Sequence, residues 1–393
     1  MTARRVYADN AGTTALSKTA LDAMMPYLTE SYGNPSAIYS LGREAKKALE
    51  GARVKVAAAI GALPEEIYFT GSGTEADNWA IRGAAEKGSK KGKHIITSAI
   101  EHHAVSHTLE YLKKQGFEIT MLPVDNLGRV SPDDLKNAIR DDTILITIMM
   151  ANNEIGAIQP VTELGRLARE KGVPFHTDAV QAAGHIPIDV KAMNIDMMSI
   201  AGHKFRGPKG VGALYIKKGN YIPPLLYGGG QESKRRSSTE NVAGIVGLAA
   251  ALEEATANMA ENMKRVSAMR DRLIAELLKI PFSRLTGDPV NRLPGTASFV
   301  FECVEGEAMI LTLDNAGICA SSGSACSSAS LDPSHVLLAI GLAHEVAHGS
   351  VRLSISECTT DEDIDYIIAT LPPIVEKLRA MSPLWEDRMN GKF

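Results

Sequence analysis

VPFHTDAVQAAGHIPIDVKAMNIDMMSIAGHKFRGPKGVGALYI, residues 173–216, carries three short apolar runs, each followed by a polar or glycine-rich connection. VPFHTD (173–178), IDMMSIAG (195–202) and VGALYI (211–216) read as strands. Upstream the same rhythm continues. Helical spacing over 43–60 precedes the strand IYFT (67–70). KHIITS (93–98) is followed by a helix ending at Gly116, and FEITMLP (117–123) follows. TILITIMMA (143–151) is rich in β-branched residues and predicts a strand buried on both faces, with a helix over 162–171 after it. Strand and helix alternating at this interval predict an α/β fold with a mostly parallel, mixed sheet.

Near residue 242 the pattern changes. One long helix is expected from Val242 to Leu278, then strands over 296–301 and 351–355 with helices around them. The expected division is a large α/β domain over 14–258, and a smaller α+β domain formed by 1–13 and 259–393.

The chain has 393 residues, with 45% apolar and 22% charged, which excludes a disordered chain or a fibrous repeat. Lys plus Arg is 42 and Asp plus Glu is 46, a net charge of −4. That balance predicts no general attraction to nucleic acid or anionic membranes. The longest apolar stretch, 144–151, is far short of the ~20 residues of a membrane span. MTARRVYADN has no apolar run behind its basic residues, so it reads as neither a signal nor a transit peptide, and a cytoplasmic location is expected. The four cysteines, Cys303, Cys319, Cys326 and Cys358, form no CxxC pair and are expected as free thiols.

Three features carry chemistry. GSGTEADN (71–78) lies between a strand end and a helix start, where N–H groups and the helix dipole favour an anion. It lacks the spacing of a P-loop or a Rossmann fingerprint, and an ordinary capped turn explains it equally well. Asp178 closes a strand, where ligands bind in open α/β sheets, although it also suits a helix N-cap. Lys204 follows a strand in a loop with Gly207, Pro208 and Gly210. Such a lysine is a Schiff-base candidate, though most loop lysines are simply solvated. Together an anion cradle, a carboxylate and a lysine fit pyridoxal phosphate, which needs all three.

With these motifs the sequence resembles the cysteine desulfurases of the class V aminotransferase-like enzymes. The matching stretches run from YADNAGTTA (7–15) through GNPSA (33–37), TGSGTEADN (70–78), EHHAV (101–105), NNEIG (152–156), HTDAVQ (176–181) and GHKFRGPKG (202–210). They continue with GGGQE (228–232), RSSTEN (236–241), SSGSACSSAS (321–330) and VRLS (351–354), to SPLWE (382–386). The resemblance implies the type I fold of pyridoxal-phosphate transferases. It implies that Lys204 carries the cofactor and removes the substrate's α-proton, that Asp178 pairs with the ring nitrogen, and that His102 stacks on the ring and shuttles a proton. Gln181 and Asn153 would lie at the ring hydroxyl. Gly73, Thr74 and His203 would hold the phosphate, with Thr239 reaching that of the other subunit in a homodimer. Asn34 and Arg352 would bind the carboxylate of L-cysteine. Cys326 would take the sulfur as a persulfide and pass it to an acceptor protein for iron–sulfur assembly or tRNA thiolation, with L-alanine released. Cys326 also stands in SSGSACSSASLDPS, a run of small polar residues that buries little apolar surface, and is expected to move. Cys303 and Cys319 read instead as small buried hydrophobes, and Cys358 has no functional argument.

The sequence departs from the family at three places. Ala201 stands where a serine contacts the phosphate, and Ser199 or Thr74 could compensate. Ser238 replaces a glycine, and its hydroxyl could supply the missing bond. Gly12 replaces an alanine. His344-Glu345-Val346-Ala347-His348 matches the zinc-protease pattern HExxH, but Gly349 and a strand follow at once, so no metal site is expected. The rival readings are a selenocysteine lyase, a transaminase and a non-catalytic sulfur-transfer scaffold.

Overall fold

The structure is a computed structural model and describes residues 4–322 and 333–390. Its strands are β1 (Val6–Tyr7), β2 (Ile67–Thr70), β3 (His94–Ser98), β4 (Glu118–Leu122), β5 (Thr143–Thr147) and β6 (Phe175–Asp178). After these come β7 (Met197–Ala201), β8 (Gly212–Ile216), β9 (Ser283–Leu285), β10 (Thr296–Phe301), β11 (Ile318–Cys319) and β12 (Ser350–Ser354). Seven form the main sheet in the order β2-β8-β7-β6-β5-β3-β4. β8 is antiparallel to both neighbours and every other pairing is parallel. This is the expected mixed α/β sheet. β3, β5, β6, β7 and β8 are buried at every position, so their apolar side chains serve both faces.

Helices cover those faces because their apolar residues fall on one stripe. Along Ser40–Ala59 the buried residues Ala45, Leu49, Ala52 and Val56 recur every three or four positions. The helix Gly73–Gly88 starts where the Ser72 hydroxyl accepts from Glu75 N, and it buries Trp79 completely.

A second core gathers Val6 and Ala8 with apolar residues from Val266 to Val375. It holds the three-stranded antiparallel sheet β12-β10-β9, and β1 pairs with β11 beside it.

Three expectations are corrected. The single helix over 242–278 is two helices, Val242–Ala257 and Met259–Leu277. They meet at Asn258, whose carboxamide bonds the Glu254 carbonyl and competes with the helical ladder. The run 143–151 is a strand only to Thr147. Cys303 is not in a buried strand. It follows β10 at φ 61°, half-buried, its thiol donating to Leu384 O at 3.6 Å.

One turn is left-handed without relying on glycine. Glu232, Ser233 and Lys234 have φ of 48°, 57° and 65°, a conformation that costs about 1–2 kcal/mol per residue.

Candidate active site

The strands β2, β3, β5, β6 and β7 point the same way, so their carboxyl ends share one edge of the sheet. Gly73 and Thr74 follow β2, His102 follows β3, Asn153 follows β5, Asp178 ends β6, and His203 and Lys204 follow β7.

Lys204 closes a single 3-10 turn, Gly202–Lys204, directly after β7. Its ammonium donates to Ala11 O and Gly12 O, both at 2.7 Å. Ala11 O also accepts from Gln181 Nε2 at 2.9 Å, so the segment 11–12 joins lysine and glutamine. The His203 ring meets Thr13 Oγ1 at 3.1 Å, and burial pushes its pKa down to about 4.

Asp178 is 5% exposed and accepts from Val180 N at 2.9 Å. Burial raises its pKa, opposed by His102, by the Val180 bond and by Lys204. His102 caps the helix His103–Lys114, its Nδ1 accepting from Ala104 N at 3.1 Å, and burial holds its pKa low.

The cradle at Gly73 admits no side chain. A Cβ there would lie 2.7 Å from Val180 Cγ2 and 3.2 Å from Ala201 Cβ. The methyl of Ala201 therefore stands beside the cradle and offers no hydroxyl. The Ser199 hydroxyl lies 3.0 Å from His176 Nε2, tied to the sheet interior. Ser238 has φ 158°, at the border of extended backbone, and its hydroxyl reaches Thr239 O at 3.5 Å.

On β12 of the small sheet Arg352, 3% exposed, donates to Asp9 Oδ1 at 2.7 Å and to Asn153 O at 2.9 Å. Among the described residues its buried Nε has no partner. Asn34 is not joined to it. Asn34 is exposed and accepts from Ser36 N at 2.9 Å. Thr239 is also exposed, on a cavity of about 150 Å³ shared with Arg236 and Gly71. Cys326 lies outside the described residues. Ser321, five residues before it, pairs with Arg352 through the backbone, and Ser334, eight after it, bonds Glu154.

Several groups escaped the reading of the sequence. Glu101, 2% exposed, accepts from Ser98 Oγ at 2.5 Å and Met149 N at 3.0 Å, yet its Oε2 has no partner among the described residues. Burial first, and then Asp178, push it up to about 8. Asp77 is buried too, raised by burial and by Asp178 and Glu101, with His176 at 3.6 Å. His176 is held down at about 3 by burial alone. The two-residue alternation of β6 put His176 on the face of Asp178, a signal available in HTD. His103, His107 and His335 cluster at the rim, the first two rings stacked at 4.6 Å. His103 and His107 border a cavity of about 600 Å³ with Thr74 and His102. In the HExxH stretch His344 and His348 flank a four-residue helix, and β12 begins at Ser350.

A type I sheet with a lysine, a carboxylate and a helix N-terminus at one edge defines a class of enzyme, and comparison with known proteins specifies it. The profile of the family Aminotransferase class-V matches residues 6–367, and the chain belongs to that family, whose enzymes depend on pyridoxal phosphate. It is 58% identical to the cysteine desulfurase IscS of Methanosarcina thermophila over 97% of this chain and 94% of that one. It is 55% identical to the cysteine desulfurase IscS of Clostridium botulinum over 99% of both. Among solved structures it resembles a NifS-like protein (TM-score 0.91, 38% identity, 95% of this chain and 100% of the other). It also resembles SspA in complex with cysteine (TM-score 0.79, 37% identity, 90% and 99%).

The residues fit the cofactor. A glycine-only cradle opens a helix, a buried carboxylate lies within electrostatic reach of a lysine amine, and a buried guanidinium N–H has no partner among the described residues.

Proposed function

We propose that this protein is a cysteine desulfurase, converting L-cysteine to L-alanine and leaving the sulfur as a persulfide on Cys326. The reading is carried by the convergence of Lys204, Asp178 and His102 at one sheet edge, in a chain 58% identical to a cysteine desulfurase.

Pyridoxal phosphate, when bound, supplies a carbonyl that condenses with an amine and a ring that accepts an electron pair from the substrate. Gly73, Thr74 and His203 hold its phosphate. Asp178 would pair with the ring nitrogen, where its carboxylate would favour a proton. Gln181 and Asn153 border the ring hydroxyl. Lys204 would hold the cofactor, and its amine, which docks on Ala11 O and Gly12 O, would act as the base for the substrate's α-proton. Arg352 would bind the substrate carboxylate. His102, kept neutral by burial, accepts and returns a proton.

The Cys326 thiolate then attacks the substrate sulfur. A sulfur–sulfur bond forms, the carbon–sulfur bond breaks, and its electron pair stays with the three-carbon fragment. Protonated, that fragment leaves as alanine.

Residues 14–258 form the cofactor-holding domain, and 1–13 with 259–393 the smaller one. The separate core of Val6, Ala8 and residues 266–375 supports this division. Two copies associate, and the exposed Thr239 serves the partner's phosphate. The persulfide passes to an acceptor protein in the cytoplasm. No helix among the described residues is long and apolar enough to cross a membrane.

Mass spectrometry after incubation with cysteine tests the reaction. One sulfur is gained on the Cys326 peptide and none in Cys326→Ala. Alanine release without that gain identifies a lyase that frees sulfide instead.

A further inference from the structure

The outer edge of the main sheet is closed by side chains. β2 is the terminal strand, and on its free side Ile67 O and Phe69 N face outward, where another strand could pair. Arg53 Nη1 donates to Ile67 O at 2.6 Å, and Glu232 Oε2 accepts from Phe69 N at 2.8 Å. The same two side chains form a fork, Nη1 to Oε2 and Nη2 to Oε1, both at 2.8 Å. Their side chains are 10% and 3% exposed.

Glu232 reaches the strand from the left-handed turn 232–234. Four residues on, Arg236 makes a second fork, Nε and Nη2 to the two oxygens of Glu75 at 2.7 and 3.0 Å. Glu75 also accepts from Gly71 N at 2.8 Å. One short segment is therefore pinned to β2 at Glu232 and to the Gly71–Thr74 turn at Arg236. Stability alone gives a weak reason for this. An apolar pair of similar shape stabilises a buried site as well as an ion pair does. Strained backbone persists where function uses it.

We propose that Arg53 and Glu232 are positioning residues for the cofactor phosphate. Their ion pair holds the left-handed turn, the turn holds Arg236 on Glu75, and Glu75 fixes the Gly71–Thr74 turn. The inference rests on assigning that turn to the phosphate, as above.

The test is titration of apoenzyme with pyridoxal phosphate, followed by absorbance, with thermal unfolding and amide hydrogen exchange measured alongside. Wild-type protein that forms no cofactor band refutes the proposed function itself. Given a wild-type band, Glu232→Gln and Arg53→Met weaken cofactor binding about tenfold, the scale on which supporting partners act on a bound group. Arg53→Lys, which keeps the charge but not the fork, recovers part of the loss. Exchange quickens at Gly71–Thr74. Glu75→Gln produces the same loss, and adding it to Glu232→Gln adds little, because the residues act in series. Unchanged cofactor affinity, with or without a lower unfolding temperature, overturns the proposal. If Glu232→Gln does not fold, Arg53→Lys is judged by the same criteria.

Discussion

The two sheets bring opposite kinds of ionisable group to the site. At the edge of the main sheet Asp77, Glu101 and Asp178 are buried together, and burial keeps their neighbour His176 neutral. The small sheet instead delivers Arg352, a buried cation braced by Asp9 and by the Asn153 carbonyl. On the main sheet Lys204 and His102 act on Asp178 against the effect of burial, and on the small sheet Arg352 has a buried N–H with no partner among the described residues. A ligand with a protonatable ring nitrogen at one end and a carboxylate at the other is oriented by this polarity before any shape is considered.

The comparison breaks most sharply at Lys204, which lies within electrostatic reach of Asp178. Lys204→Ala should abolish the cofactor absorbance band and lower alanine formation by about 10³-fold or more, as loss of a nucleophile and base in one group does. Activity that survives would show that the polarity works without it. Asp178→Asn tests the acidic pole. Its expected cost is about 10²-fold in kcat, the scale for one preorganised electrostatic partner, with a shifted cofactor spectrum. Arg352→Gln tests the basic pole. A lost bond to a charged group is worth about 1.5–3 kcal/mol, so kcat/KM for cysteine should fall about 10–100-fold, mainly through KM. A change in kcat alone would place Arg352 outside substrate binding.

The smallest effect concerns stability. Glu101 is held at about 8, above its ordinary 4.5. The folded protein therefore binds more protons than the unfolded chain between those values. The contribution of Glu101 is complete below the lower value and is lost as pH rises through the upper one. The unfolding temperature of the apoprotein should fall by a few degrees between about pH 5 and about pH 9, and less so in Glu101→Gln. Equal slopes in the two proteins would mean that Glu101 is ionised throughout.

Much of this polarity was legible in the chain. Asp178 and Lys204 each follow an apolar run, and strand ends in a parallel sheet face one edge, so their meeting follows from local pattern. The charge around them was not legible. Asp77 and Glu101 look like ordinary surface acids in sequence, and only packing shows them desolvated. The break at Asn258 was missed because a helix-compatible pattern runs through it, and one carboxamide decides the matter. The Glu232 turn was equally silent, since Glu232, Ser233 and Lys234 carry no mark of left-handed backbone. Arg53, 179 residues away, holds them.

The segment that receives the Lys204 amine has a kinetic consequence. Ala11 N donates to the Ser354 hydroxyl, 343 positions along the chain, and Val6 pairs with Ile318. Contacts this remote close slowly, because most of the polypeptide must be ordered first. During synthesis the main sheet can be complete while its lysine still lacks a dock. The full bracing of that dock is then completed only when the strand that carries Ser354 has been made.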